Sequence, residues 1–245
     1  MEVLGIDVGG SGIKGAIVNT ETGQLVTERH RIPTPEGAKP DDVADEIKQM
    51  LEHFNWTGKI GVGFPAVILN GVAQSAGNIH KSWIGVHVGE LFKKTTGVDF
   101  LVANDADVAG LAEMNFGAGK NENGFVLMIT AGTGLGSGAF YNKKLIPNFE
   151  LGTLPYKSYK KIEHFAADSA RKREKLSLKE WAKRFNKFLK IIEKMFSPSL
   201  IILGGGSSKK MDQFKDQITA KTKIVPAEML NNAGIVGAAM LCEQA

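Results

Sequence analysis

The sequence predicts a duplicated α/β protein built from two similar domains, and three observations carry that reading. Residues 3–19, VLGIDVGGSGIKGAIVN, reappear 123 positions later as residues 126–142, VLMITAGTGLGSGAFYN. A repeat at so long a period points to related domains, because solenoid repeats run about 20–50 residues. Each copy opens the same series of elements, three strands followed by helix and strand. Finally, each glycine turn joins two strands, whereas the Rossmann turn joins a strand to a helix.

In chain order, the apolar runs predict strands at 2–8, 13–19 and about 24–32, the last two separated by the turn Glu21, Thr22, Gly23. Pro33, Pro35, Gly37 and Pro40 then end the sheet run. Over residues 41–54, Val43, Ile47, Met50, Leu51 and Phe54 form one helical stripe with acids in the first turn. Residues 59–68 and 100–103 read as strands, and residues 105–116 as a helix. The second half repeats the plan with strands at 125–131 and 136–141. Ser177 and Glu180 have capping-box spacing before Trp181, Phe185, Phe188, Leu189, Ile192 and Phe196, an aromatic helical stripe that reads as core. A buried strand at 200–203 runs into Gly204, Gly205 and Gly206, and a last helix begins near Asn231. The expected boundaries are residues 1–108 for the first domain, with a helix at about 232–245 packing back on it, and 109–231 for the second.

Of 245 residues, 43% are hydrophobic and 23% charged, ordinary for a chain with a substantial core. No run approaches the ~18–20 apolar residues of a membrane span. The first residues enter a strand with no signal-peptide pattern. A cytoplasmic protein without a membrane partner is therefore expected. The single Cys242 excludes an internal disulfide and a multi-cysteine zinc site, and the five histidines show no ligand spacing. Net charge is +4 but uneven: residues 157–194 hold 13 Lys/Arg against 5 Asp/Glu. Such a block is either a solvated helix face or a surface for a polyanion.

The chemistry-bearing segments follow from the repeat. In the first turn Asp7 precedes Gly9, Gly10, Ser11 and Gly12, and Lys14 follows. Glycines let backbone N–H groups converge on an anion, Asp7 suits Mg²⁺ directly or through water, and Lys14 suits a phosphoryl oxygen. The plainer reading is a tight hairpin with incidental charges. The second turn, Thr130, Gly132, Thr133 and Gly134, carries no acid and suits a phosphate cradle of N–H groups and the Thr133 hydroxyl. Two such loops, facing each other across a cleft, would clamp a phosphoryl group in transfer. At Asn104, Asp105 and Asp107 a carboxylate sits at a strand-to-helix junction, placed to accept a proton from a substrate hydroxyl or to cap the helix. Glu150 could bond a polyol, Asn78 could offer a polar contact, and Gly204 to Gly206 suit a nucleotide or anion, or a simple turn.

Together these residues resemble the ROK family of repressors and sugar kinases, in the actin/hexokinase-like (ribonuclease H-like) superfamily, and most closely its polyphosphate glucokinase branch. The likeness runs from Gly5 to about Ala239; its most specific stretches are residues 81–85, 166–174, 224–227 and 233–239. It implies a two-domain fold with a central cleft and transfer of a phosphoryl group from polyphosphate, or also ATP, to the 6-hydroxyl of glucose. By the same resemblance Asp105 is the catalytic base, and Asn78, Asn104, Glu150 and Glu163 bind sugar hydroxyls. Asp7, Gly10, Lys14, Gly132 and Thr133 belong to the phosphate loops, and residues 204–206 to the donor side. Mg²⁺ as cofactor, a homodimer and no nucleic-acid partner are also implied. One departure stands out: the family's Glu-x-Gly-His reads Glu150, Leu151, Gly152, Thr153 here. An ATP-dependent kinase of glucose or another hexose, and a non-catalytic sugar sensor, are the rival readings. A DNA-binding member needs a helix-turn-helix ahead of the first loop.

Overall fold

Both copies of the glycine segment fold as antiparallel hairpins, with different turns. β1 (Glu2–Gly9) and β2 (Gly12–Asn19) pair with Gly9 opposite Gly12, which leaves a two-residue turn. The second hairpin pairs Ala131 with Leu135, so its turn holds three residues, Gly132, Thr133 and Gly134. The register therefore differs by one residue, and so do the partners facing each other across each hairpin. This computed structural model describes residues 1–77 and 79–244, and the chain splits into two compact units, Met1–Ala112 with Asn231–Ala245, and Glu113–Leu230.

In the first unit the sheet order is β3-β2-β1-β5-β8, with β3 (Gln24–Leu25), β5 (Ile60–Phe64) and β8 (Phe100–Asn104). β5 and β8 run parallel to β1. A separate strand, β4 (His30–Ile32), also pairs with β2. The single strand expected at 24–32 is thus broken in two. Thr27 explains the break: its hydroxyl accepts the Ile17 N–H at 3.0 Å in place of a ladder carbonyl, and pairing resumes two residues out of step. Helix α1 (Pro40–Phe54) buries its predicted stripe. A small hairpin of β6 (Ile68–Leu69) and β7 (Val72–Ala73) follows, then α2 (Val88–Thr96), a helix the apolar pattern does not announce. Phe64, Trp83 and Phe92 meet edge to face, and the Trp83 indole donates to the Ala38 carbonyl at 2.8 Å. Burying each such ring contributes about 2 kcal/mol or more.

The second unit has the order β11-β10-β9-β12-β13, with β9 (Phe125–Ala131), β10 (Leu135–Tyr141), β11 (Lys144–Ile146), β12 (Leu200–Gly204) and β13 (Lys223–Pro226). Its antiparallel and parallel pairs fall where those of the first sheet do. The duplication is thus topological as well as sequential. The short helices α4 (Glu163–Ala166) and α5 (Asp168–Arg173) lead to α6 (Leu178–Phe196). The capping box forms: Ser177 Oγ accepts the Glu180 N–H and Glu180 returns to the Ser177 N–H at 2.9 Å. Trp181 is fully buried, stacks on Phe185 and donates from Nε1 to the Ala166 carbonyl at 2.9 Å.

Two further helices complete the first unit, α3 (Asp105–Phe116), whose last turn crosses the division, and α7 (Ala233–Gln244). α7 lies on β1 and β5 with its backbone almost touching theirs. A Cβ at Gly5 would fall 2.0 Å from the Ile235 carbonyl oxygen, and one at Gly61 1.7 Å from that of Ala238. On the far side a Cβ at Gly237 would fall 1.6 Å from the Val108 carbonyl oxygen of α3. These are backbone atoms that no rotamer change can clear. Gly237→Ala is therefore expected to cost about 3 kcal/mol, a fall of roughly 6–12 °C in the melting temperature. Calorimetry checks this; a shift within 1 °C would contradict the close packing.

Candidate active site

Parallel strands end at a common edge, and the first unit gathers its polar residues there. Asp7 of β1 sits beside Gly63 of β5, and Phe64 of β5 beside Asn104 of β8. Open sheets of this kind bind ligands beyond the carboxyl ends of their strands. Asp7 and Lys14 face each other across the hairpin, Lys14 Nζ 3.2 Å from Asp7 Oδ2, with a fifth of the Asp7 side chain exposed. The α7 helix closes on the same carboxylate, since a Cβ at Gly234 would lie 2.7 Å from Asp7 Cγ. Arg31, opposite Lys14 on β4, donates to the Ser11 carbonyl at 2.7 Å, and Thr34 Oγ1 donates to that of Gly9 at 2.5 Å. A cavity of about 710 Å³ beside Gly10 is lined by Thr34, Glu36, His80 and Lys81.

The two acceptors at the β8–α3 junction share the Ala106 N–H and differ in burial. Asn104 Oδ1 accepts the N–H groups of Ala106 at 2.8 Å and Asp107 at 3.3 Å, so Asn104 is the N-cap. Its Nδ2 donates to the Ala66 carbonyl at 3.1 Å, tying the ends of β8 and β5 together. Asn104 and Asp107 are buried, while Asp105 is exposed, with Oδ1 bonded to the adjacent Ala106 N–H. Asn78, expected to bind sugar, lies outside the described residues.

In the second unit both glycine turns sit at one sheet edge. Gly204 of β12 pairs with Thr130 of β9, and Gly205 turns with φ of 78° against the Ala131 carbonyl. Among the described residues no other glycine of these turns adopts a left-handed backbone; a Cβ would crowd Arg31 at Gly12, Glu163 at Gly134 and Met128 at Gly204, but would meet open space at Gly132 and Gly206. The Gly132 N–H bonds the Gly134 carbonyl at 3.0 Å, so the outward-facing part of the cradle is narrower than the sequence suggests. The carbonyls of Gly132 and Thr133 are both taken by Ser169, through its N–H at 3.0 Å and its hydroxyl at 2.6 Å. Thr34 and Arg31 are missed by sequence reasoning, with a threonine between two prolines as the local hint, and Ser169 enters it only within the 166–174 stretch of family likeness, with no role assigned.

Glu150 is set in place by Ser137, whose hydroxyl donates to the Phe149 carbonyl and accepts the Leu151 N–H at 2.9 Å. Gly152 must be small, because a Cβ there would fall 2.2 Å from the Leu135 carbonyl oxygen. Thr153 is exposed, and its hydroxyl donates to the Glu150 carbonyl at 2.7 Å at the end of a 3-10 turn. Glu163 accepts the Leu135 N–H at 3.4 Å and pairs with Lys161 at 3.4 Å. Burial, then the neighbouring Glu163 charge, raises the Glu150 carboxyl above the ordinary value of 4.5, while Lys161 opposes the rise. The basic block resolves into two parts. Arg171 and Lys172 pair with Asp168, and Arg173 and Arg184 with Glu174. Lys183, Lys187, Lys190 and Lys194 line an exposed face of α6.

Residues 3–148 match the ROK family. The chain is 44% identical over 238 residues to the polyphosphate glucokinase of Mycobacterium tuberculosis, covering 97% of this chain and 89% of that one. It aligns with the inorganic polyphosphate/ATP-glucomannokinase of Arthrobacter sp. strain KM at a TM-score of 0.93 and 41% identity, over 100% and 99% of the two chains. A ROK family glucokinase from Streptomyces griseus, in complex with glucose and AMPPNP, aligns over 100% of both chains with a TM-score of 0.83 and 22% identity. The fold is the actin/hexokinase-like one.

If the ionised Glu150 holds sugar, the glucose KM should rise by about tenfold per pH unit as the carboxylate protonates, beginning above pH 4.5. Glu163→Gln should move that onset to lower pH and Lys161→Met to higher pH. Steady-state kinetics across pH check both directions; an onset unmoved by either substitution would remove Glu150 from sugar binding.

Proposed function

The chain belongs to the ROK family, and from that premise we infer that it moves a phosphoryl group from inorganic polyphosphate to the 6-hydroxyl of glucose. The geometric observation that supports this most directly is the difference in exposure at the β8–α3 junction. Asn104 caps the helix through the N–H groups of Ala106 and Asp107, and the Asp105 carboxylate, which shares that of Ala106, is exposed at the strand end. In this reading Asp105 takes the 6-hydroxyl proton as the sugar oxygen bonds to the terminal phosphorus. The bond from that phosphorus to the bridging oxygen breaks, and polyphosphate leaves one unit shorter. Asn104, Glu150 and Glu163, with Asn78, orient the sugar. The glycine turns and Lys14 hold the donor, and Gly204 to Gly206 flank its path.

A metal fits the first turn in a limited way. Among the described residues no three His, Cys, Asp or Glu side chains form a metal cage, and Asp7 stands at the strand end with Lys14 as its ion-pair partner. One carboxylate suits Mg²⁺ that enters with the donor phosphates and keeps its waters. When bound, such an ion neutralises charge on the phosphoryl group in transfer. The same reading extends to a cytoplasmic homodimer, on family resemblance.

A second donor and sugar fit the same site. The Arthrobacter neighbour is a polyphosphate/ATP-glucomannokinase, and Thr153, with its hydroxyl bonded to the Glu150 carbonyl, replaces the histidine of the family motif. ATP and mannose are therefore included as further candidate substrates. A coupled glucose 6-phosphate assay with polyphosphate and ATP side by side tests the donor. Asp105→Asn should lower kcat by about 10²–10⁴-fold with the melting temperature within 2 °C of wild type. Near-normal turnover in that variant would exclude Asp105 as the base.

A further inference from the structure

An anion cradle made of backbone has an inherent conflict: each N–H group that attracts phosphate is chained to a carbonyl that repels it. The second turn resolves this with one residue. Ser169 bonds the Gly132 carbonyl with its N–H at 3.0 Å and the Thr133 carbonyl with its hydroxyl at 2.6 Å, and the Gly134 carbonyl accepts the Gly132 N–H. All three carbonyls of the turn are thereby engaged inside the protein. The first turn uses the same device from other elements, with Thr34 on the Gly9 carbonyl and Arg31 on that of Ser11. Neither turn is shaped by left-handed glycines, so these side-chain bonds, rather than backbone preference, fix which way the peptide groups point.

We propose that Ser169 is a positioning residue for the phosphate donor: by holding the Gly132 and Thr133 carbonyls it leaves the N–H groups of Thr133 and Gly134 to face a polyphosphate oxygen. Ser169 is itself held in place. It sits in the first turn of α5, directly after the buried Ala166 and Ala167, and the Trp181 indole bonds the Ala166 carbonyl. A rigid α6 thus reaches the donor loop through Trp181 and Ser169. Within α5, Asp168 pairs with Arg171 and Lys172, which keeps its carboxylate charge compensated. The inference rests on the phosphotransferase reading for its substrate, and on the hydrogen bonds alone for its geometry.

The test uses the full chain in three forms, wild type, Ser169→Ala and Ser169→Thr, and two measurements. Calorimetric titration with inorganic tripolyphosphate reads donor binding without requiring turnover. Steady-state kinetics with polyphosphate and glucose read the two substrates separately. Loss of the hydroxyl bond should weaken tripolyphosphate binding and raise the polyphosphate KM by about three- to tenfold in Ser169→Ala. The glucose KM and the melting temperature should stay at wild-type values, and Ser169→Thr, which keeps the hydroxyl, should recover most of the loss. Equal tripolyphosphate affinity in wild type and Ser169→Ala, or a parallel rise in both KM values, would overturn the proposal. Wild-type binding of tripolyphosphate without transfer to any sugar would instead overturn the functional reading and leave the positioning role standing.

Discussion

The first unit depends on how closely its last helix can lie against its sheet. Gly5 and Gly61 present bare backbone to α7, and Gly237 presents bare backbone to α3 on the other side. Through these contacts one helix fixes three things: the spacing of β1 and β5, the carboxylate of Asp7 at Gly234, and the helix that begins with Asp105. The proposed base and the proposed metal-side carboxylate are thus positioned by residues more than a hundred positions away in sequence. Methyl groups at these glycines would push the elements apart. Catalytic groups must be held to within a fraction of an ångström, so packing far from the chemistry becomes part of it.

The electrostatics of the two units complement this frame. In the first, Asp7 pairs with Lys14 at the strand ends, and Arg31 adds a positive charge on the rim of the turn. In the second the Gly132–Gly134 turn has no charged side chain of its own, but the Glu163 carboxylate lies against it, accepting the Leu135 N–H at 3.4 Å, and adds to burial in raising the Glu150 carboxyl. In the proposed reaction a polyanion and a neutral polyol must be held by different means. Peptide N–H groups grip phosphate without a counter-charge that would tether the shortened chain, and carboxylates accept hydrogen bonds from hydroxyls. The lysines along α6 leave a positive surface exposed to solvent. Their partners in the same block are already neutralised by Asp168 and Glu174, so only part of its charge is available to a polyanion.

Much of this was legible in the sequence, because much of it is local. The hairpins follow from apolar alternation interrupted by glycine, the α6 start follows from Ser177 and Glu180, and its buried stripe from helical spacing. What was illegible depends on tertiary approach. The strand expected at 24–32 reads as continuous, and only the Thr27 hydroxyl replacing a ladder bond reveals the break. Helix α2 is short and contains Gly89, so its pattern is weak. At the junction Asn104 and Asp105 are both good caps by composition, and the bonds decide between them. Thr34, Arg31 and Ser169 act on carbonyls of turns that lie 25, 20 and 36 positions away along the chain, a relation no spacing rule encodes.

In the proposed reaction the terminal phosphoryl group of polyphosphate passes to the 6-oxygen of glucose without being lost to water. Phosphorus-31 NMR of the protein with Mg²⁺, polyphosphate and glucose follows every phosphorus atom through that step. A glucose 6-phosphate resonance should grow in step with the loss of polyphosphate phosphorus, with little free orthophosphate. Orthophosphate as the main product, or an unchanged polyphosphate spectrum in the presence of glucose, would contradict it.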